Sequence, residues 1–143
     1  MANACDLCDG DGGQLLFKND RYRVVLVDEA AYPGFCRVVW NGHVKEMSDL
    51  AAADRSAIMS AVWAVEAAVR EVMQPEKINL ASLGNMTPHV HWHVIPRYLD
   101  DAHFPSPVWA EAKREGDAAA LEQRRAKLPQ LRAAITRHLA TPS

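Results

Sequence analysis

Three histidines alternate with apolar residues in His89-Val90-His91-Trp92-His93-Val94-Ile95. On an extended chain successive side chains point to opposite faces. His89, His91 and His93 therefore share one face, and Val90, Trp92 and Val94 share the other. Neighbouring imidazoles on that face stand roughly 6–7 Å apart. An isolated strand histidine is ordinarily a satisfied or exposed side chain. A row of three is different, because imidazoles repel when protonated and bind little when neutral unless a metal or an anion occupies the row. Two chemistries suit it: ligation of a metal such as zinc or copper by neutral imidazole, and phosphate chemistry, in which one imidazole attacks phosphorus while its neighbours donate hydrogen bonds.

A second group lies near the N-terminus, in Cys5-Asp6-Leu7-Cys8. A single C-x-x-C is a weak signal, compatible with a zinc knuckle, a redox pair or coincidence. The redox reading is the poorer one, because the strand and helix start that thioredoxin-like chemistry requires do not surround it. Cys36, within an apolar stretch, reads as a small buried hydrophobe.

The elements that must position these residues follow from periodicity. Leu15 to Phe17 and Arg21 to Asp28 are apolar stretches joined by Lys18-Asn19-Asp20, a hairpin pattern. Pro33-Gly34 marks a turn over 29–34, and Phe35 to Trp40 reads as a third strand closed by Asn41-Gly42. Ile58, Val62, Val65, Val69 and Val72 form one apolar stripe on a helix over about 48–74. Ser48 or Asp49 is its expected cap and Pro75 its stop. Lys77 to Leu83 is strand-like, Gly84-Asn85 turns the chain, and His89 to Pro96 is a strand. Residues 100–109 read as an extended, docked loop, and 116–140 as a helical tail that Pro129 breaks in two. Leu121, Leu128, Leu131, Ile135 and Leu139 give that tail an amphipathic docking pattern. The fold class is α+β, an antiparallel sheet of about five strands with one long helix and a C-terminal helical tail.

At 143 residues the chain fits one domain with a substantial core, and its 49% hydrophobic and 24% charged residues are those of an ordinary globular protein. A net charge of −2 argues against binding a nucleic acid polymer, which selects strongly basic surfaces. The apolar runs are too short to span a membrane, and the first eight residues lack the basic start and apolar core of a signal peptide. Cytoplasm is the expected location.

The stretch from Gly84 to Arg97, with its His-φ-His-φ-His-φ-φ core followed by Pro96-Arg97, resembles the histidine-triad (HIT) signature. The resemblance runs from Cys5 to about Trp109. It implies a HIT domain over residues 1–110, with 111–143 an extension packed on that domain or on a dimer partner. It also implies a homodimer that acts on a purine nucleotide. Cleavage would release a nucleoside monophosphate from a polyphosphate or phosphoramidate through a nucleotidyl-histidine intermediate, with nucleotide binding without turnover as the alternative. His91 takes the place of the nucleophile, His93 that of a phosphate or leaving-group contact, and His89 completes the catalytic row. Asn79, Asn85 and Thr87 stand where phosphate contacts are expected, and Asp28 where ribose hydroxyls are held. Arg97 is open between neutralising phosphate and a structural role at the strand end. A bacterial branch of the family implies a structural zinc on Cys5, Cys8, His43 and His89, and no organic cofactor is expected. One departure stands out. The family commonly has a fourth histidine at the start of the third strand, where this chain has Phe35, and a phenyl ring cannot relay a proton.

Overall fold

The computed structural model describes residues 4–140. Five strands, β1 (Gln14–Lys18), β2 (Tyr22–Leu26), β3 (Cys36–Trp40), β4 (Lys77–Ala81) and β5 (His91–Arg97), pair antiparallel in the order β1-β2-β3-β5-β4. The expected hairpin joins β1 to β2. Asn19 Oδ1 fixes its turn by accepting the N–H groups of Arg21 and Tyr22 at 2.9 and 2.8 Å. Alongside the sheet are a short helix α1 (Asp6–Asp9), the long α2 (Ala52–Met73), and α3 (Ala118–Arg125) and α4 (Leu128–Ala140) in the tail. The α+β class read from the sequence is the observed one.

Directly paired residues of an antiparallel sheet share a face, so the register divides the sheet cleanly. Val24, Cys36, Val38, Trp40, Ile78 and Val94 point to one face. There they bury themselves against Ile58, Ala61, Val62, Val65 and Val69 of α2, while Leu131 and Ile135 of α4 close the same core. Burying a side chain such as Ile58 or Ile135 contributes about 1.5–3 kcal/mol each. The opposite face carries Arg23, Val25, Arg37, Val39, His91, His93, Ile95 and Arg97.

Some element ends differ from expectation. The long helix begins at Ala52, because Met47–Asp49 forms a separate 3₁₀ turn in which Asp49 Oδ2 accepts the Glu46 N–H. Ser48 and Asp49 therefore cap nothing on α2. The helix ends as expected, with Gln74 in left-handed geometry (φ 49°) just before Pro75. The tail does divide in two, but Pro129 sits in the first turn of α4, where its missing N–H costs nothing. The last strand starts at His91, not His89: the Val90 carbonyl still accepts the N–H of Trp40 at the end of β3, but the Val90 N–H turns to the Val44 carbonyl, and the ladder ends there. No helix among the described residues is long and apolar enough to cross a membrane.

Two segments cover the open face from opposite ends of the sequence. From the N-terminal side, Leu7 packs on Val25 and Val39. Arg23, itself buried, donates to the carbonyls of Leu7, Gly10 and Asp11 at 2.5, 3.0 and 2.9 Å. The second cover follows β5 and is tied down by a buried ion pair, Arg97 Nε to Asp101 Oδ2 at 2.8 Å. Asp101 also accepts the N–H groups of Tyr98, His103 and Phe104.

Burial alone would raise the Asp101 carboxyl, but the Arg97 guanidinium and those three backbone donors outweigh it and hold the group well below the usual carboxylate range. A depressed folded-state pKa contributes stability that is fully present above the unfolded value and is lost progressively as pH falls from there through the folded value. Removing one partner of a buried pair costs about 3–5 kcal/mol. Asp101→Ala is therefore expected to lower the unfolding free energy by about that amount in urea titrations at pH 7, and the deficit should shrink below about pH 4, where the carboxyl of the unfolded wild type takes up a proton while the folded one keeps its charge.

Candidate functional site

The histidine row divides its labour. His91 Nδ1–H donates to the His89 carbonyl at 2.6 Å, which fixes the tautomer and leaves the lone pair on Nε2. The hydroxyl of Ser82 donates to the His91 carbonyl at 2.7 Å, bracing the strand from the β4 side. His93 lies edge-on to His91, with ring centroids 4.9 Å apart. Phe35 and Trp109 flank it edge-on at 5.6 and 5.3 Å. Its Nδ1 is buried without a hydrogen-bond partner among the described residues.

Both rings are held neutral. Burial lowers His91, and the nearby Arg37 charge lowers it further against the opposing pull of the His89 carbonyl. Burial, then His91 and Arg37, push His93 down to about 4. A neutral imidazole with an oriented Nδ1–H and a free Nε2 can act as a nucleophile near pH 7.

His89 serves a different centre. Its Nε2–H donates to the Trp40 carbonyl at 2.6 Å, so the Nδ1 lone pair faces the thiols of Cys5 and Cys8 at 3.4 and 3.5 Å. His43 Nδ1 lies 3.3 Å from Cys8 Sγ. With both nitrogens of His89 engaged in this way, its contribution to His91 comes through its carbonyl. One ligand atom from each of Cys5, Cys8, His43 and His89 falls within 4.8 Å of the others. Bond lengths near 2.0–2.3 Å in a tetrahedral zinc site place neighbouring N and S ligands roughly 3.3–3.8 Å apart. The Cys₂His₂ donor set and the N···S separations fit such an ion, and the four residues could hold one.

The remaining expected residues are dispersed. Asn79 shares the open face, but its Oδ1 accepts from Arg97 Nη1 at 2.8 Å. Asn85 is exposed in the loop before the histidine row, and the Thr87 carbonyl accepts the His89 N–H at 2.8 Å. Asp28 is exposed beyond the end of β2, in a groove lined by Gln14, Pro33, Gly34, Arg125 and Leu128. The two uses open to Arg97 resolve to the structural one, since Asp101, Asn79 and the Ser106 carbonyl take its donors. Phe35 is buried with Tyr32 and Ile95.

Sequence reasoning missed three contributors: Ser82, Arg23 and Arg37. The two arginines interrupt apolar strands on the face that carries the histidines, and a charge at an inward position of such a strand was the available signal.

The architecture is thus an α+β domain in which a five-stranded antiparallel sheet carries a long helix on one face and a histidine row on the other. Residues 12–100 match the family model described as the HIT domain, and the chain belongs to that family. Among solved structures it is similar to a histidine triad protein from Bradyrhizobium japonicum (25% identity, 90% of this chain and 92% of that one, TM-score 0.72). A second, from Sinorhizobium meliloti, has 24% identity, 95% and 96% coverage, and a TM-score of 0.71. A zinc-bound histidine triad family protein from Mycobacterium smegmatis shares the fold at 21% identity, 92% and 97% coverage, and a TM-score of 0.57. No curated protein matches the chain by sequence.

Proposed function

We propose that the protein is a nucleotidyl hydrolase or transferase that takes a nucleoside monophosphate, AMP in the first instance, from a polyphosphate or phosphoramidate through a covalent adduct on His91. The observation that carries this reading is the His91 Nδ1–H to His89 carbonyl bond, which leaves Nε2 as a free, neutral nucleophile on the open face. In the first half-reaction Nε2 forms a bond to the α-phosphorus, and the bond from phosphorus to the leaving group breaks with its electron pair. In the second, water attacks the same phosphorus, the N–P bond breaks, and the electron pair returns to Nε2 as the water proton passes to solvent. His93, beside His91, contacts the phosphoryl oxygens or the departing group. Asn85 and Thr87 approach the phosphate from the preceding loop, Asn79 through its amide N–H₂, and Asp28 takes the ribose.

Residues 1–110 form the nucleotide-handling unit in this reading, with 111–143 its extension. The chain works as a cytoplasmic homodimer; β4 is an edge strand, and the exposed Leu80 on it and Leu83 just past its end are apolar surface for a second copy to cover. The ion on Cys5, Cys8, His43 and His89 is a zinc that supplies structure, holding the N-terminal segment to the sheet.

Single-turnover mixing with a dinucleoside polyphosphate, followed by intact mass, tests the central claim. Wild type is expected to gain the mass of one nucleoside monophosphate, and His91→Ala to form no adduct and to turn over slower by on the order of 10³-fold or more. Wild-type turnover with no adduct on His91 would sink the covalent route. A separate measurement addresses the metal. One zinc per chain should copurify, survive His91→Ala, and be lost with a fall in melting temperature in Cys8→Ser; zinc that leaves with His91 instead would place it in the row.

A further inference from the structure

Three buried side-chain polar atoms lack a hydrogen-bond partner among the described residues, and two of them, Arg37 Nε and His93 Nδ1, lie on the open face. They belong to directly paired residues of β3 and β5, so the two side chains leave the sheet next to one another. Arg37 uses one donor, Nη1, on the Gly12 carbonyl at 3.0 Å. Arg23 already anchors the covering segment through three carbonyls, so the fold has little need of Arg37 for that purpose. A guanidinium presents five N–H donors and keeps its charge at any physiological pH. Here it stands two residues beyond Phe35, on the strand position facing the row, and its field reaches both His91 and His93.

Resting on the nucleotidyl-transfer reading above, we propose that Arg37 is a further catalytic residue that binds the phosphate oxygens of the substrate. With Phe35 in place of a proton-relaying histidine, it selects substrates whose leaving group departs as an anion, namely phosphoanhydrides, over phosphoramidates. The chemistry follows from electron and proton balance. When His91 Nε2 displaces a phosphate or nucleotide from an anhydride, the P–O bond breaks with its electron pair. The product is an oxyanion that a fixed cation stabilises with no proton transferred. When the bond broken is P–N, the departing nitrogen must receive a proton. Phe35 has none to give, a guanidinium does not release one in this pH range, and a neutral His93 has no surplus. A cation aimed at developing negative charge is the strongest single aid the site can offer an anhydride.

The experiment compares kcat/KM for a dinucleoside tetraphosphate and for adenosine 5′-phosphoramidate, using the zinc-loaded full chain as wild type, Arg37→Met, Arg37→Lys and Phe35→His. Expected are a wild-type preference for the anhydride of at least about tenfold, and a loss of about 10²–10³-fold on the anhydride in Arg37→Met. Arg37→Lys should recover part of that loss, and Phe35→His should raise the phosphoramidate rate. The wild-type substrate ratio needs no variant, so it decides the selectivity even where Arg37→Met folds poorly. Equal rates on the two substrates, or anhydride turnover within twofold of wild type in a folded Arg37→Met, overturn the inference while leaving the His91 adduct intact. Absence of adduct and turnover in wild type on both substrates overturns it together with the reading it rests on.

Discussion

The hydrogen bond from His91 Nδ1 to the His89 carbonyl joins the two centres of the molecule. It forces the His91 proton onto Nδ1 and frees Nε2. It also requires the peptide after His89 to hold one orientation. That orientation is set by His89 itself, whose ring is pinned to the Trp40 carbonyl on one side and faces the Cys5 and Cys8 thiols on the other. The Cys/His cluster thus holds the side chain of the same residue whose carbonyl orients the nucleophile. A shift of the N-terminal segment would reach His91 through His89, whose ring is pinned on both sides.

The open face depends on how its charges are apportioned. Arg23, Arg37 and Arg97 all project from it. Arg23 and Arg97 are buried and have their donors taken up by carbonyls, Asn41 and Asp101, and each fastens one covering segment. Arg37 alone of the three keeps a buried donor without a partner among the described residues. The same residue type serves as scaffold at two positions and retains capacity for an anion at the third, and the difference lies in what the neighbouring chain offers.

Much of this was legible in the sequence because it rests on local periodicity. The alternation in His89 to Ile95 and the stripe from Ile58 to Val72 gave the open face, the core face and the long helix. Element ends were less legible. Asp49 spends its carboxylate on a turn that precedes α2, a choice between neighbouring N–H groups that residue type alone does not decide. His89 had two expected places, in the row by alternation and beside Cys5 and Cys8 by the family resemblance, and its bonds to Trp40 and to the N-terminal thiols give its ring to the second. Arg37 and Ser82 were missed because their importance comes from cross-strand register, which pairs residues far apart in the chain. The reverse holds for Arg97, whose place after the triad suggested phosphate although Asp101 four residues on had already claimed it.

Cys5 and His89 are 84 residues apart, and between them lie β1 to β4 and α2. An ion bound to both would therefore close most of the chain into one large ring. The entropy removed from an unfolded ring grows with its length, though only as a logarithm, so a closure of this span acts chiefly on the unfolded ensemble. The cluster would then serve as a reversible cross-link, drawn tight by metal and released by chelation. The nucleophile strand, the covering segment that follows it and the helical tail lie outside that ring.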